Sequence, residues 1–256
     1  MENDFNLKMH EGKTVDVYIA SLPRQLHILT TVESVLKNPE TLTITITANK
    51  YSDAQFEELC NRLAGLNSIY QVPIRVIRGD NAKESNEKLK YIGEGYGKYI
   101  NFTDDDLILP EDYFKYMIAG CEKYNAYVSL HGVVLAQRPI KSYYADRMVL
   151  RGLGAVPFDS EVDIASNCGS LFKRSFFSEE VLSKLYENAP TVSMDDIIMA
   201  TACRKHNVTR YVLKHQQGYL KHKAQYAEDE YVFDKYTKQL GVTDKVQTDY
   251  INRYWR

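Results

Sequence analysis

The chain has 256 residues and a mass of 29.5 kDa, which is enough for one large α/β domain with a full hydrophobic core. Its net charge of -2, with both signs interspersed, excludes a nucleic-acid binder that depends on a globally basic surface. No apolar run approaches the ~18 to 20 residues of a membrane span, and the N-terminus lacks the apolar region of a signal peptide. We therefore expect a cytoplasmic protein, which could still work at a membrane surface.

The four cysteines are far apart in the sequence and form no Cys-x-x-Cys pair; they are Cys60, Cys121, Cys168 and Cys203. This spacing is typical of reduced thiols in a cytoplasmic protein. It indicates neither a disulfide framework nor a zinc site.

The first part of the chain alternates between strand and helix patterns. Residues 1–13 are polar and without pattern, so we expect a flexible tail there. Strand patterns at 15–20, 41–47 and 73–78 are separated by two helical patterns. The second of these helices opens with a capping box at Ser52 and is predicted to close near Gly65. A weaker helix over 82–92 follows, and this order predicts a mostly parallel sheet with right-handed crossovers.

A fourth strand pattern, at 99–103, ends in the acidic run Asp104-Asp105-Asp106, and a helix is predicted from Glu111. In an open α/β sheet, ligands bind at the carboxyl ends of strands. Three adjacent carboxylates there would repel one another strongly unless they shared a cation. Hard divalent ions such as Mg²⁺ or Mn²⁺ take oxygen ligands and usually bridge to substrate phosphates. The alternative is a solvated acidic turn without a functional role.

The segment Gly93-Glu94-Gly95-Tyr96-Gly97 is rich in glycine but precedes a strand. A dinucleotide-binding loop would instead link a strand to a helix. We therefore predict a flexible turn.

The second half of the chain is predicted to contain two further strands, at 126–135 and at 162–172, and a helix at 175–186. The first strand holds the pair His131-Gly132, and the second is predicted to be interrupted near Asn167. Between them lies a loop-rich stretch with two arginines, Arg147 and Arg151. These two side chains could reach a phosphate group or an acceptor molecule, and the alternative is that both are solvated surface residues.

A second acidic pair, Asp195-Asp196, stands at a predicted helix start just after Ser193. Ser193 suits an N-cap, and carboxylates in the first turn favour the helix dipole, so capping alone would explain the pair. The same position also suits a general base that is presented at a cleft.

Residues 203–226 carry basic side chains without a single acid: Arg204, Lys205, Arg210, Lys214, Lys221 and Lys223, together with His206, His215 and His222. Such a run is usually a solvated face, but it could also neutralise a diphosphate or attract an anionic partner. The last thirty residues have an amphipathic helical pattern, which would pack on the domain or form a subunit contact.

Four of these features, in this order, resemble the family 2 glycosyltransferases of GT-A fold: Ser21-Leu22-Pro23-Arg24, Gly79-Asp80-Asn81, Asp104-Asp105-Asp106 and Met194-Asp195-Asp196-Ile197. The phrase TDDDLILPEDY is also similar to a bacterial branch found among capsule and surface-glycan genes. The resemblance implies an α/β GT-A fold, Rossmann-like, with a mostly parallel central sheet and flanking helices. It covers a single domain at 14–215, followed by a helical C-terminal extension at 216–256.

The resemblance also implies the donor-side roles. Asp106 would contact a Mn²⁺ or Mg²⁺ ion directly, and Asp104 would contact the ribose or the metal. Asp105 would lie beside the nucleotide-sugar donor. One of His215 or His222 would complete the metal site or touch the diphosphate.

The remaining roles implied by the resemblance concern the nucleotide base and the acceptor. Asp80 would hold the base of the donor, and Pro23 and Arg24 belong to the loop that borders it. Asp196 would be the catalytic base that takes the proton of the acceptor hydroxyl, with Asp195 as the fallback.

The implied function is a metal-dependent, inverting, non-processive glycosyltransferase with a UDP-sugar as the default donor. Its acceptor would be the hydroxyl of a glycan or a lipid-linked precursor, and a homo-oligomer could form through the C-terminal helices. One alternative is a transferase for hydroxymethylated bases of phage DNA, with segment 204–223 holding the phosphate backbone. Another is a nucleotidyltransferase, which also holds Mg²⁺ on strand-end aspartates but attacks phosphorus.

Overall fold

The structure, a computed structural model, describes residues 12–23, 27–222 and 242–255. Its strands are β1 (Val15–Ser21), β2 (Thr41–Ala48), β3 (Ile74–Arg78), β4 (Tyr99–Asp104), β5 (Leu107–Ile108), β6 (Tyr127–Ser129), β7 (Gly132–Leu135), β8 (Arg147–Leu150), β9 (Ser160–Glu161), β10 (Ile164–Ala165), β11 (Ser170–Lys173), β12 (Arg210–Val212) and β13 (Lys221–His222). Its α-helices are α1 (His27–Leu36), α2 (Asp53–Tyr70), α3 (Tyr113–Tyr124), α4 (Glu179–Lys184), α5 (Asp195–Lys205) and α6 (Val242–Tyr254), and 3₁₀ helices lie at Glu84–Glu94 and Arg174–Phe176. Arg24 and most of the predicted N-terminal tail lie outside the described residues.

The central sheet has the strand order β3-β2-β1-β4-β11-β6-β12-β9. Strands β3, β2, β1 and β4 run parallel to one another, which confirms the prediction from the alternating helices and strands. Strand β11 is antiparallel to both β4 and β6, and β12 is again parallel to β6. The register pairs Ala20 with Asp104 and Ser21 with Ala48, so the carboxyl ends of β1, β2 and β4 meet at one edge.

Two smaller sheets lie beside the central one. Strands β10, β7 and β8 form an antiparallel sheet, and β13 pairs antiparallel with β5. The second pairing sets His222 opposite Leu107, the residue that follows the acidic run. It therefore brings the late histidine to the end of β4.

Apolar side chains cover both faces of the parallel strands, as expected for a sheet with helices on both sides. On β1, Val17 and Ile19 pack with α1, α2 and α3, whereas Tyr18 faces the opposite core with α5. The C-terminal helix α6 belongs to this second core through Ile251 and Trp255. The helix thus packs on the domain, which was one of its two predicted positions.

Helix α2 continues past Gly65, so the predicted end of this helix was wrong. Gly65 is exposed and a Cβ there would meet nothing within 4 Å, so the residue costs only helix propensity, about 1 kcal/mol relative to alanine. The helix ends at Tyr70 and is capped by Gln71, whose backbone is left-handed (φ 54°) and whose N–H donates to the Asn67 carbonyl at 2.8 Å. The capping box at Ser52 is confirmed.

The predicted strand at 126–135 is in fact two strands in different sheets, β6 and β7. The chain turns between them because Ser129 Oγ accepts from the His131 N–H at 3.1 Å and donates to the Ser166 carbonyl at 2.8 Å. The interruption predicted near Asn167 is confirmed, since it separates β10 from β11. The predicted helix at 82–92 is a 3₁₀ helix and not an α-helix. The predicted helix at 175–186 is a short 3₁₀ turn followed by the α-helix α4.

The glycine-rich segment before β4 packs over a buried ion pair. Asp16 on β1 is fully buried and lies 2.7 Å from Arg174, and its carboxylate accepts from the Gly97 N–H at 2.6 Å. A Cβ on Gly95 or Gly97 would come within 3 Å of the Asp16 side chain. These glycines therefore allow the segment before β4 to pack closely over the Asp16 side chain.

Candidate active site

The predicted site residues are carried by several elements that end at the same edge of the sheet. Asp80 follows β3, Asp104 ends β4, and Asp106 lies in the turn before β5. Asp195 and Asp196 open helix α5. One lysine, Lys88, lies between the aspartate that ends β4 and the aspartates that open α5.

Asp106 and His222 lie side by side. Asp106 Oδ2 is 3.2 Å from His222 Nε2, and both side chains keep part of their surface exposed, 11% and 23%. Two neighbouring ligands of an octahedral ion with bonds of about 2.1 Å lie about 3.0 Å apart, so this pair fits the spacing of two ligands on one divalent ion. Within residues 12–23, 27–222 and 242–255, no set of three or more His, Cys, Asp or Glu side chains is arranged as metal ligands. An ion here would therefore need further oxygens from water or from a bound phosphate.

The electrostatics of the acidic run also suit a cation. Burial, and after it the neighbouring carboxylates of Asp106, Asp195 and Asp105, raise the pKa of Asp104 to about 6 in spite of the nearby Lys88. A divalent ion would offset this mutual repulsion. Asp105 has a different contact, because its Oδ2 accepts from the Leu22 N–H at 2.9 Å.

The loop after β1 is tied down from two sides. The Tyr51 hydroxyl donates to the Leu22 carbonyl at 2.9 Å and lies 2.8 Å from Ser21 Oγ. Together with the bond from Leu22 to Asp105, these contacts fix the chain up to Pro23, which is half-buried. Asp105 thus holds the loop on which the sequence placed donor contacts.

Lys88 connects the two acidic sites, and sequence reasoning missed it. Its side chain is only 2% exposed, and its Nζ lies 2.8 Å from Asp195 Oδ2 and 3.6 Å from Asp104 Oδ1. Burial alone would lower the pKa of Lys88, but the charges of Asp195 and Asp104 outweigh it and raise the pKa. The sequence pattern gave no signal for it, because Lys88 stands in a charged 3₁₀ helix in which Asn86, Glu87, Lys88 and Leu89 are all buried, so burial there follows no single helix face.

Asp195 is surrounded by donors. Ser85 Oγ donates to Oδ1 at 2.7 Å, while Asn167 Nδ2 at 2.7 Å and Lys88 Nζ at 2.8 Å reach Oδ2. Burial opposes ionisation, but Lys88 and these hydrogen bonds more than compensate, so the pKa of Asp195 is lowered. Asp195 is therefore ionised, and both of its carboxylate oxygens already accept hydrogen bonds or an ion pair from neighbouring side chains.

Asp196 differs from its neighbour. Its Oδ1 accepts from the Ile197 N–H at 2.8 Å, and the residue is only half-buried. Burial and the adjacent Asp195 charge raise the pKa of Asp196 to about 7, against the opposing effect of the Ile197 N–H and Arg147. A carboxylate with a pKa near the working pH suits proton transfer.

The predicted N-cap at this helix is wrong. Met194 occupies the cap position without a side-chain hydrogen bond, and Ser193 Oγ instead donates to Glu84 at 3.0 Å. The Met194 N–H donates to Asn86 Oδ1 at 3.0 Å, so the segment before α5 is bound to the 3₁₀ helix that carries Lys88.

Asp80 sits in a polar group after β3. Its Oδ1 accepts from the Ala82 N–H at 2.9 Å, and Lys90 Nζ lies 3.6 Å from Oδ2. Burial, followed by the neighbouring Asp80, raises the pKa of Glu87 to about 7. A Cβ at Gly79 would lie 1.8 Å from Asn49 Oδ1 and 2.3 Å from Glu87 Oε2, so these two side chains would have to shift to accommodate one.

His215 has contacts other than the acidic run. Its Nδ1 lies 2.8 Å from the Leu213 carbonyl, its Nε2 lies 3.4 Å from the Arg151 carbonyl, and its backbone pairs with Val156. Of the two predicted histidines, the structure brings His222 to Asp106 and gives His215 these backbone partners instead.

The family model of glycosyl transferase family 2 matches residues 16–181, which is more than half of the chain. The chain belongs to glycosyl transferase family 2. The matched part of this family 2 protein includes Asp80, Asp104 and Asp106 and ends before Asp195. A search of curated proteins found no significant match.

Solved structures with a similar fold include the mannosyltransferase PcManGT from Pyrobaculum calidifontis in complex with GDP-Man and Mn²⁺. It is 15% identical, with a TM-score of 0.52, and the match covers 79% of this chain and 55% of that chain. Another is TarS from S. aureus, 11% identical with a TM-score of 0.49, covering 90% of this chain and 39% of that one. The family 2 protein thus spans little more than half of the first structure. The match to the first confirms the GT-A fold.

None of the helices in the described parts of the family 2 protein is long and apolar enough to cross a membrane.

Proposed function

We propose that this protein is a metal-dependent, inverting and non-processive glycosyltransferase that moves one sugar from a nucleotide diphosphate donor to an acceptor hydroxyl. The observation that carries the proposal is the pairing of two acidic sites at one sheet edge, joined by the buried Lys88. The donor-side site contains Asp104 and Asp106, and the acceptor-side site contains Asp196. The resemblance favours a UDP-sugar as donor and a glycan or lipid-linked precursor as acceptor.

The donor side would hold the ion and the nucleotide. Asp106 and His222 would bind Mn²⁺ or Mg²⁺, with Asp104 close by, and the bound ion would offset the charge that develops on the departing diphosphate. Asp80 would face the base, and the loop held by Asp105 would border the nucleotide.

The acceptor side would supply the base. Asp196 would take the proton of the acceptor hydroxyl as that hydroxyl attacks the anomeric carbon from the side opposite the diphosphate, which inverts the configuration. With its pKa near 7, a large share of Asp196 is ionised at neutral pH. Asp195 would position this base and would not itself react, because three donors occupy its oxygens.

Two single substitutions separate these roles. Asp106→Asn should abolish metal-supported binding of the donor, measured by calorimetric titration of the nucleoside diphosphate with Mn²⁺. Asp196→Asn should keep that binding and lower transfer by about 10² to 10⁴-fold, because it removes a general base. Asp249→Asn is the matched control, since Asp249 is exposed and pairs only with Lys245 on α6 among the described residues. Transfer by Asp196→Asn at the rate of this control would show that the base assignment is wrong.

The basic segment at 204–223 gives no support to the DNA alternative. Among its described residues, Arg210 is buried and donates to the Val208 carbonyl, and Arg204 lies over the Trp255 ring at 5.1 Å. These two arginines are therefore engaged inside the protein and do not belong to an exposed basic face. The loop after β1 likewise lacks the glycine-rich, basic sequence of a nucleotidyltransferase.

A further inference from the structure

A cluster of basic side chains lies at the hairpin of β7 and β8. The register pairs Leu135 with Arg147, and His131 stands just before β7. The Gly152 N–H donates to His131 Nδ1 at 3.3 Å, so the turn after β8 folds back onto this histidine. His215, which follows β12, lies with its Nε2 3.4 Å from the Arg151 carbonyl. Arg147, Arg151 and the two histidines therefore border one patch.

Arg147 is held in place by two aromatic rings. Its Cζ lies 4.4 Å from the Tyr143 centroid and 4.1 Å from the Tyr144 centroid. Both tyrosines are tied to helix α6, where Thr248 Oγ1 accepts from the Tyr143 N–H and Asp244 Oδ1 accepts from the Tyr144 N–H. A guanidinium that stacks by its faces can still donate through its N–H edge, which binds carboxylate and phosphate groups in a bidentate manner.

The charge of these arginines is not neutralised by the residues around them. Five other arginines form ion pairs with a carboxylate: Arg62, Arg75, Arg78, Arg138 and Arg174. In the described ranges, neither Arg147 nor Arg151 has an Asp or Glu oxygen within the 4.0 Å of an ion pair. Since both side chains reach solvent, an external anion could bind there.

Helix α6 connects the patch to the proposed base: Thr248 accepts from the Tyr143 N–H under Arg147, and the adjacent Gln247 donates to the Ser193 carbonyl, three residues before Asp196. Arg147 acts on Asp196, whose pKa it lowers against the larger effects of burial and Asp195. Burial, followed by Arg147 and Arg151, lowers the pKa of His131 to about 4, so this histidine is neutral near pH 7. Arg147 thus supplies a permanent positive charge that acts on Asp196, and Arg151 adds a second one at His131.

We propose that Arg147 and Arg151 form an anion site on the acceptor side of the cleft, which takes a phosphate or carboxylate group of the acceptor close to the hydroxyl that Asp196 deprotonates. The proposal rests on the proposed function and names the class of its acceptor, an anionic one. The diphosphate of the donor belongs instead with the Asp106 and His222 pair on the ribbon of β5 and β13.

The test is a calorimetric titration of inorganic phosphate into the full chain after the donor site has been saturated with nucleoside diphosphate and Mg²⁺. Wild type should bind phosphate under these conditions. Arg147→Gln should weaken this binding by about tenfold or more, because it removes a charge-assisted contact. Arg253→Gln is the matched control, since Arg253 is also exposed, lies over a tyrosine ring and has no ion pair in the described part of the chain. It should bind phosphate as wild type does.

Three results would overturn the anion site: no phosphate binding by wild type, equal binding by Arg147→Gln, or displacement of phosphate by the nucleotide, which would assign Arg147 to the donor. Failure of the nucleoside diphosphate itself to bind would instead remove the proposed function.

The source of the anion is then tested with glycerol 3-phosphate, glycerate and glycerol as competitors of inorganic phosphate. One of the two charged compounds should compete and glycerol should not, and the better of the two identifies the group. Equal competition by all three, or by none, would contradict an anionic acceptor. Stronger competition by a short DNA duplex with a steep salt dependence would assign the patch to nucleic acid and would equally overturn the proposal.

Discussion

Lys88 is the residue that gives two adjacent aspartates different properties. Its ammonium pairs with Asp195 and Asp104 while its side chain is almost completely buried. The pKa of Asp195 is lowered, and the pKa of Asp196 is raised to about 7. Neighbouring carboxylates whose pKa values are pushed apart are typical of acid and base chemistry.

Replacing Lys88 by methionine would leave Asp195 buried without its cation. Breaking a buried ion pair in this way costs about 3 to 5 kcal/mol, so Lys88→Met should lose roughly that much unfolding free energy. The loss should appear in urea denaturation, and Lys88→Arg should recover part of it. Transfer per folded molecule should also fall, because both acidic sites lose their common partner.

Leu63→Ala separates stability from positioning. Leu63 is buried on α2, away from the acidic residues, and its truncation should cost about 2 to 5 kcal/mol. If Lys88→Met lost no more transfer per folded molecule than Leu63→Ala, Lys88 would have only a structural role.

The raised pKa of Asp196 predicts a pH dependence. A protonated carboxyl group cannot accept a proton, so kcat should rise with pH through an apparent pKa near 7 and then level off. Initial rates at saturating donor and acceptor measure this profile. A rate that stays flat between roughly pH 6 and 8 would mean that Asp196 is not the base.

For these individual residues, the sequence predicted where the acidic side chains lie but not which basic side chain they pair with. The runs at Asp104 and Asp195 stand out because carboxylates follow a strand or open a helix. Lys88 lies in a segment rich in charge, where a pattern does not distinguish a buried ammonium from a solvated one. Its burial depends on residues that are far away in the sequence.

Among the elements, the ribbon of β5 and β13 has the most direct effect on the site. Each strand has two residues, too short for any periodic pattern, and their pairing places His222 against Asp106. The longer parallel strands could be predicted because alternation and length make their patterns clear. The split of the predicted strand at 126–135 could not, since it depends on hydrogen bonds of Ser129 to distant backbone.

His222→Ala tests whether the ribbon completes a metal site. Loss of a metal ligand should weaken Mn²⁺ binding by about tenfold or more, read as free Mn²⁺ by electron paramagnetic resonance in the presence of nucleoside diphosphate. The control is His206→Ala, because His206 is exposed and contacts the Phe177 ring. Equal Mn²⁺ affinity in the two variants would contradict the role of His222.

Helix α6 is a second element with an effect on the site. Asn252 on this helix accepts from the Ile140 N–H and donates to the Ile140 carbonyl, and Gln247 donates to the Ser193 carbonyl. The helix therefore supports both the loop of Arg147 and the segment before Asp195. The sequence predicted a helix here but not its hydrogen bonds to Ile140 and Ser193, which join it to these two segments.

For the whole molecule, the order of the acidic motifs along the chain becomes proximity in space, because parallel strands end at the same edge. The family match and the GT-A fold agree with this arrangement. We propose that a divalent ion and a nucleotide sugar act together at this edge.

The most direct measurement is the slow hydrolysis of a panel of nucleotide sugars, read as released nucleoside diphosphate, with Mn²⁺, with Mg²⁺ and with EDTA. We expect release from one donor in the presence of metal and none with EDTA, and Asp106→Asn should behave as wild type does with EDTA. Release that EDTA leaves unchanged would contradict the metal-dependent mechanism. If no donor were hydrolysed and none bound with metal present, the glycosyltransferase function itself would be contradicted.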